Sequence, residues 1–146
     1  MLHTLLFGGA LAAVTMVLHA AGLTTVLVIG ARWLARPPTR FWPTTWLLIR
    51  LTWMLLLIHL VEILVWGTFY WLRECLPDAR SAFYFSGVTY TTLGYGDVLL
   101  SDPWRLLAPI ESLTGILMCG LSTGVFFALV SRLFNPGIQT RTSIKP

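Results

Sequence analysis

Charged side chains are scarce in this sequence. They make up 11% of its 146 residues, against 56% hydrophobic, and the mean hydropathy is +0.76. That shortage excludes an ordinary water-soluble domain and implies a membrane protein. Cysteine is nearly absent: Cys75 and Cys119 are too few for a disulfide framework. We expect Cys75 to be a free thiol in an outward loop and Cys119 to be a small core residue. No Cys or His cluster has metal-ligand spacing, so no metal or organic cofactor and no catalysis are expected. The net charge of +4 is not gathered into a basic patch, which argues against a nucleic-acid partner. The first apolar run lacks an Arg at every third position and so is not a charged voltage sensor. The N-terminus also lacks the basic segment, short apolar core and small-residue site of a cleavable signal. Residues 2–31 run without a charge if His3 and His19 are neutral, long enough to span with some tilt.

Three long apolar runs are present. The first span is placed at about residues 5–31, ahead of a connector, RWLARPPTRFWP, in which Pro37, Pro38 and Pro43 should break any helix. The second runs from about residue 44 to 72. The third runs from about 103 to 134, with Asp102 as N-cap, Pro103 in the first turn, and Asn135-Pro136-Gly137 as a stop. Between the last two lies DARSAFYFSGVTY, which reads as a helix over about residues 79–91 capped by Asp78. A helix of a dozen residues is about 18 Å long and cannot cross a hydrocarbon core of about 30 Å. It is expected to dip in and return. The expected fold is therefore all-α and membrane-embedded, with three spans and one re-entrant segment.

Orientation follows from Arg and Lys. Arg32, Arg36, Arg40 and Arg50 surround the first connector, while Arg132, Arg141 and Lys145 lie near the C-terminus. The acids Glu74, Asp78, Asp97 and Asp102 gather around the re-entrant region. The connector and the tail should face the cytoplasm, with the re-entrant loop and N-terminus outside, in a multi-pass protein of the cell (plasma or inner) membrane. Trp33, Trp42 and Trp46 would mark the inner interface, and Tyr70, Trp71 and Trp104 the outer one.

The segment after the short helix is TYTTLGYGDV, residues 89–98. Gly94 and Gly96 can adopt the left-handed conformation that other residues resist. Alternating handedness along residues 92–95 would turn successive carbonyl oxygens to one side, where they could replace the water shell of a monovalent cation. This stretch resembles the selectivity filter of potassium channels, whose usual core is Thr-Val-Gly-Tyr-Gly. The resemblance covers about residues 44–134 and extends to the bacterial channels with two spans and one pore loop, here with one additional N-terminal span. It divides the chain into an additional helix and connector (1–43), a pore domain (44–134) and a short tail (135–146). It implies that Thr92, Leu93, Gly94 and Tyr95 coordinate K⁺ and that Gly96 closes the outer mouth. Asp97 would sit behind the filter, held by a donor such as Tyr84, with Phe85 beside it and Thr91 and Glu111 as further support. Leu93 stands where the family has Val, and must pack behind the filter. One strand cannot surround an ion, so a homotetramer in lipid is implied, with K⁺ as permeant ligand.

The third span should line the cavity. Gly115 and Gly120, with Gly124 beyond them, are either a gating hinge or places of close helix packing. A hinge would open the end near Phe126, Phe127 and Phe134. Ser122 and Thr123 would offer hydroxyls to the cavity or to neighbouring helices. The depth of Glu111 suggests contact with Thr89 or Thr91. His19, His59 and Glu62 fall at similar depth and should form a hydrogen-bonded cluster pinning the first span to the second, or a proton sensor. Besides a K⁺ channel, three readings stay open: a weakly selective monovalent cation channel, a proton-coupled transporter using His59 and Glu62, and a non-conducting membrane scaffold. The second lacks the internal repeat many transporters carry.

Overall fold

The computed structural model describes residues 2–35 and 40–134. It is all-α, with no strand among the described residues: α1 Leu2–Leu34, α2 Phe41–Leu72, α3 Ala79–Tyr90 and α4 Leu107–Phe134, with a single 3-10 turn, Asp102–Trp104, ahead of α4. Three stretches, Leu2–Leu34, Phe41–Leu72 and Asp102–Phe134, are long and apolar enough to cross a membrane. At 12 residues α3 is not.

Two helix boundaries depart from the sequence reading. Pro43 does not break a helix; it lies in the first turn of α2, which opens at Phe41. The amides of a first turn have no intrahelical partner, so proline costs nothing there. Asp102 does not cap the third span. It begins the 3-10 turn, and its carboxylate lies 3.1 Å from Arg105 Nε on the surface. The α-helix itself starts five residues later, with Pro109 in its first turn. Pro37, Pro38 and the stop at Asn135-Pro136-Gly137 lie outside the described residues.

Two apolar clusters hold the bundle. One gathers Trp66, Tyr70, Leu76, Ala82, Phe85, Leu100 and Leu107 around α3. The other gathers Leu23, Val26, Leu47, Leu51, Leu55 and Leu129 at the opposite end of α1, α2 and α4. A polar layer separates them, in which His19, Glu62 and Ser122 are all buried.

The first helix packs on α2 and α4 of its own chain. Its buried residues, Thr4, Gly8, Thr15, His19, Leu23, Val26 and Gly30, follow helical spacing and so form one stripe. That stripe is small and polar, whereas large apolar side chains such as Leu6 and Val17 stay exposed. Water would make this arrangement inside out. In lipid it is favourable, because helices associate through small residues and hydrogen bonds rather than through burial of apolar area. Three polar contacts fasten the stripe: Thr4 Oγ1 donates to the Pro103 carbonyl at 2.9 Å, Trp66 Nε1 to Thr15 Oγ1 at 3.0 Å, and His19 Nδ1 lies 2.8 Å from Glu62 Oε1.

Two side chains, Cys119 and Tyr70, sit other than expected, while Cys75 is the free loop thiol that was expected. Cys119 is exposed on α4 rather than in the core, whereas Cys75 is buried beneath the loop. Tyr70 is no interfacial anchor; it is wholly buried, its hydroxyl satisfied by Glu111.

Candidate functional site

The site is built from α3 downwards. Asp78 caps this helix: one carboxylate oxygen accepts from the Ser81 amide and the other from the Ser81 hydroxyl, both at 2.9 Å. The amide bond holds the Asp78 carboxyl below its usual range, with the hydroxyl bond adding to it. Ala82 is fully buried, and a Cβ on Gly67 of α2 would stand 2.4 Å from the Phe83 ring. Gly67 thus lets α3 lie close against α2.

At its other end α3 is seated by α4. The Ser112 hydroxyl donates to the Thr89 carbonyl at 3.0 Å. A Cβ on Gly115 would fall 2.1 Å from the Tyr90 carbonyl oxygen. Of the two roles open for Gly115, close packing is the one visible here; at Gly120 and Gly124 an added Cβ meets nothing within 4 Å.

The chain then leaves the helix in an extended run. The amides of Thr92, Leu93 and Gly94 bond back to the carbonyls of Thr89 and Val88, at 2.9, 3.0 and 3.2 Å. The backbone angle φ is positive at every second residue: 61° at Thr92, 54° at Gly94 and 76° at Gly96. Among the described residues, no hydrogen bond is accepted by the carbonyls of Thr92, Leu93, Gly94 or Tyr95, and all four residues are exposed. Thr92, Gly94 and Gly96 line a groove of about 250 Å³ shared with Val88, Thr89 and Ser112. Leu93 and Tyr95 do not line it, and are 58% and 67% exposed. Leu93 therefore does not pack behind this run within a single chain.

Asp97 closes the segment. Its Oδ2 accepts from the Tyr84 hydroxyl at 2.7 Å and its Oδ1 from the Val98 amide at 3.1 Å. The bond to Asp97 raises the Tyr84 phenol above its ordinary range, so that it stays a donor. Phe85 is buried edge-on against Tyr70, with ring centroids 5.4 Å apart.

Glu111 meets α3, but not where expected. Its Oε1 lies 2.6 Å from the Ser86 hydroxyl and its Oε2 accepts from Tyr70 at 2.7 Å. Thr89 offers its carbonyl to Ser112 instead, and the exposed Thr91 turns its hydroxyl back to the Gly87 carbonyl at 2.7 Å. Counting depth along α4 placed the contact one turn too far down α3; Ser86, on the buried face of that helix, is the hydroxyl within reach.

A second polar centre joins all four helices. Besides the His19 contact, the Tyr90 hydroxyl donates to Glu62 Oε2, and His59 Nδ1 lies 2.9 Å from Tyr90 and 3.4 Å from Glu62 Oε2. Ser122 reaches His19 Nε2 at 3.5 Å, while Thr123 bonds only to its own helix, at Cys119. Ligand atoms of His19, His59 and Glu62 lie within 4.8 Å of one another, so the three residues expected to cluster do so, and they join α1 to α2.

Sequence reasoning missed Tyr70, Ser86, Tyr90 and Ser112. One signal was present: each is polar at a position where an apolar residue would serve a lipid-facing or core role equally well. Thr15 and His19 gave the same signal, four residues apart on one face of α1.

The family model described as "Ion channel" matches residues 58–132, slightly over half of the chain. The match begins at Ile58 and takes in His59, Glu62, all of α3, the extended run and nearly all of α4. No curated protein and no solved structure matches this chain.

Proposed function

The chain belongs to the ion channel family, and from that premise we propose that it conducts K⁺ passively through a pore formed by four copies. The observation that carries the reading is the run from Thr92 to Gly96. It has positive φ at every second residue, its first four carbonyls are unclaimed, and its side chains are exposed in the single chain. An exposed, irregular backbone at membrane depth is tolerated only where protein or a water-filled cavity surrounds it. Four such runs around a common axis supply that protection for one another. Their carbonyl oxygens, with the Thr92 hydroxyl, would replace the water shell of a dehydrated monovalent cation.

The remaining geometry supports the same assembly. The exposed Leu93 and Tyr95 side chains would be covered by a neighbouring copy. The C-terminal end of α3, which carries partial negative charge, leads directly into the run and would favour a cation below it. Asp97, held by Tyr84, would brace the outer mouth from behind. Residues 44–134 form the pore unit, with α1 added as a third long helix beside α2 and α4. The Arg residues of the first connector and tail would face the cytoplasm, with the loop and N-terminus outside.

Purified protein in liposomes tests this. A K⁺ gradient should drive flux that barium blocks, with a reversal potential near the K⁺ equilibrium value under opposed K⁺ and Na⁺ gradients. A reversal potential near zero would instead assign a weakly selective cation pore, the reading that Leu93 at the Val position raises.

A further inference from the structure

We infer that His19, His59 and Glu62 form a binding site for a borderline-soft divalent transition cation, of which Zn²⁺ is the reference. The argument begins with charge. Glu62 is fully buried, and both its oxygens are engaged. Among the described residues, the two imidazoles are the only basic groups within ion-pair reach of it. A buried carboxylate requires a proton or a positive partner. An imidazolium can serve, and so can a metal that displaces its proton: the ion takes the nitrogen lone pair, one H⁺ leaves, and the carboxylate stays ionised.

The donor set points to the class of ion. Two imidazole nitrogens and one carboxylate oxygen suit Zn²⁺, and imidazole selects against Mg²⁺ and Ca²⁺. Around a tetrahedral ion with bonds of roughly 2.0–2.2 Å, ligand atoms stand about 3.4 Å apart. His59 Nδ1 lies 3.4 Å from Glu62 Oε2 and His19 Nδ1 lies 2.8 Å from Oε1, so the imidazoles meet different carboxylate oxygens. One ion held by all three needs a small rotation of the Glu62 carboxylate and an opening on the His19 side, within a cluster whose ligand atoms lie within 4.8 Å of one another. The Tyr90 hydroxyl, already between Glu62 and His59, is placed to fill or flank the fourth position. Ser122 engages the remaining nitrogen of His19, the outer contact that orients a metal-bound imidazole.

A route in exists as well. His59 is the partly exposed member and lines a groove of about 340 Å³ that α2 and α4 share, together with Thr52, Cys119, Ser122 and Thr123. The ligands come from α1 and α2, and Tyr90 ends α3. An ion here would staple the additional helix to the pore unit at the foot of α3, immediately before the run that starts at Thr92. The site lies within one chain and stands whether or not the conduction reading does.

The test uses full-length protein in lipid or detergent, with metal salts as probes. Micromolar Zn²⁺ should raise the unfolding temperature by several degrees, whereas Mg²⁺ and Ca²⁺ at the same concentration should not. Co²⁺ should give the intense visible absorption of a low-coordinate nitrogen–oxygen site. His59→Gln retains a polar partner for Tyr90 and should weaken Zn²⁺ binding at least about tenfold, while Cys119→Ser should leave it unchanged. Equal Zn²⁺ response in wild type and His59→Gln, or loss of response in Cys119→Ser, would overturn the assignment. If His59→Gln fails to fold, the Co²⁺ spectrum of wild type decides: no such absorption means no such site.

Discussion

Thr92 holds a backbone conformation that β-branched residues avoid, at φ 61°. Such strain costs on the order of 1–3 kcal/mol and persists only where the surroundings enforce it. Here the enforcement is local: three successive amides are bound to the last turn of α3, and Asp97 is fixed by Tyr84 and the Val98 amide. Gly94 and Gly96 avoid the same strain because they have no Cβ. Gly94→Ala places a Cβ at φ 54° with open space around it, so any loss is conformational rather than a clash. The expected result is a folded protein whose K⁺ flux in liposomes falls to background. Gly115 reverses this logic. Ala there meets the Tyr90 carbonyl, and overpacking against backbone costs about 1–3 kcal/mol. Thermal melts should show Gly115→Ala clearly destabilised and Gly120→Ala close to wild type. A destabilised Gly120→Ala with an intact Gly115→Ala would refute the packing role. At Glu111, Gln can still accept from Tyr70 and donate to Ser86, whereas Leu strands the buried Tyr70 hydroxyl at about 1–3 kcal/mol and leaves Ser86 only its bond to the Ile63 carbonyl. Melting temperatures should rank wild type and Glu111→Gln together, with Glu111→Leu well below.

At the scale of elements, α3 was the most legible piece and α1 the least. The short helix carries its own start signal in Asp78 and its own end in the glycine-punctuated run. Its cap also gives a pH signature. Because the folded-state pKa of Asp78 is lowered, the stabilisation is complete above the unfolded-state value of about 3.9 and is lost as pH falls through the lower folded value. Below about pH 4, wild type should therefore lose more stability than Asp78→Asn, whose cap does not titrate. Parallel acid denaturation curves would contradict this. The loop beside it offers a chemical check, since burial pushes the Cys75 thiol up to about 11. At pH 8 it should resist alkylation in the folded protein and react on unfolding. The docking face of α1 was hidden because its stripe is small and polar, so hydrophobic periodicity finds nothing there. The expected His19, His59 and Glu62 cluster marked one point of contact with α2, but the rest of the stripe, Thr15 included, gave no apolar signal. Pro43 and Asp102 misled for a shared reason: proline and acidic residues near a helix start fit several first-turn geometries, and the choice depends on what the flanking chain packs against.

For the molecule as a whole, the proposed assembly of four copies accounts for what a single chain leaves exposed. Among the described residues, the carbonyls from Leu93 to Tyr95 accept no hydrogen bond and both side chains are exposed, yet they adjoin the amides tied to the end of α3. The motif told what this run resembles, and the three apolar stretches told how the chain lies in a membrane. Depth along the spans brought out His19, His59 and Glu62 as the core of the polar layer, but not Tyr90 or the contact of Ser122 with His19, which depend on how α3 and α4 pack. That layer joins α1 to α2, α3 and α4, so an added helix that looks peripheral in sequence is bonded to the foot of α3. Glu62→Leu, which takes the carboxylate partner from His19 Nδ1 in the interior and leaves Tyr90 only His59, should loosen α1 and lower the melting temperature.

The most direct measurement is the reversal potential of the purified, reconstituted protein under opposed K⁺ and Na⁺ gradients, recorded for wild type and Gly94→Ala. Four filters acting together predict a wild-type value close to K⁺ equilibrium, barium block, and no current from Gly94→Ala. A folded, tetrameric wild type that passes no K⁺, or a Gly94→Ala variant with undiminished selective current, would contradict the account.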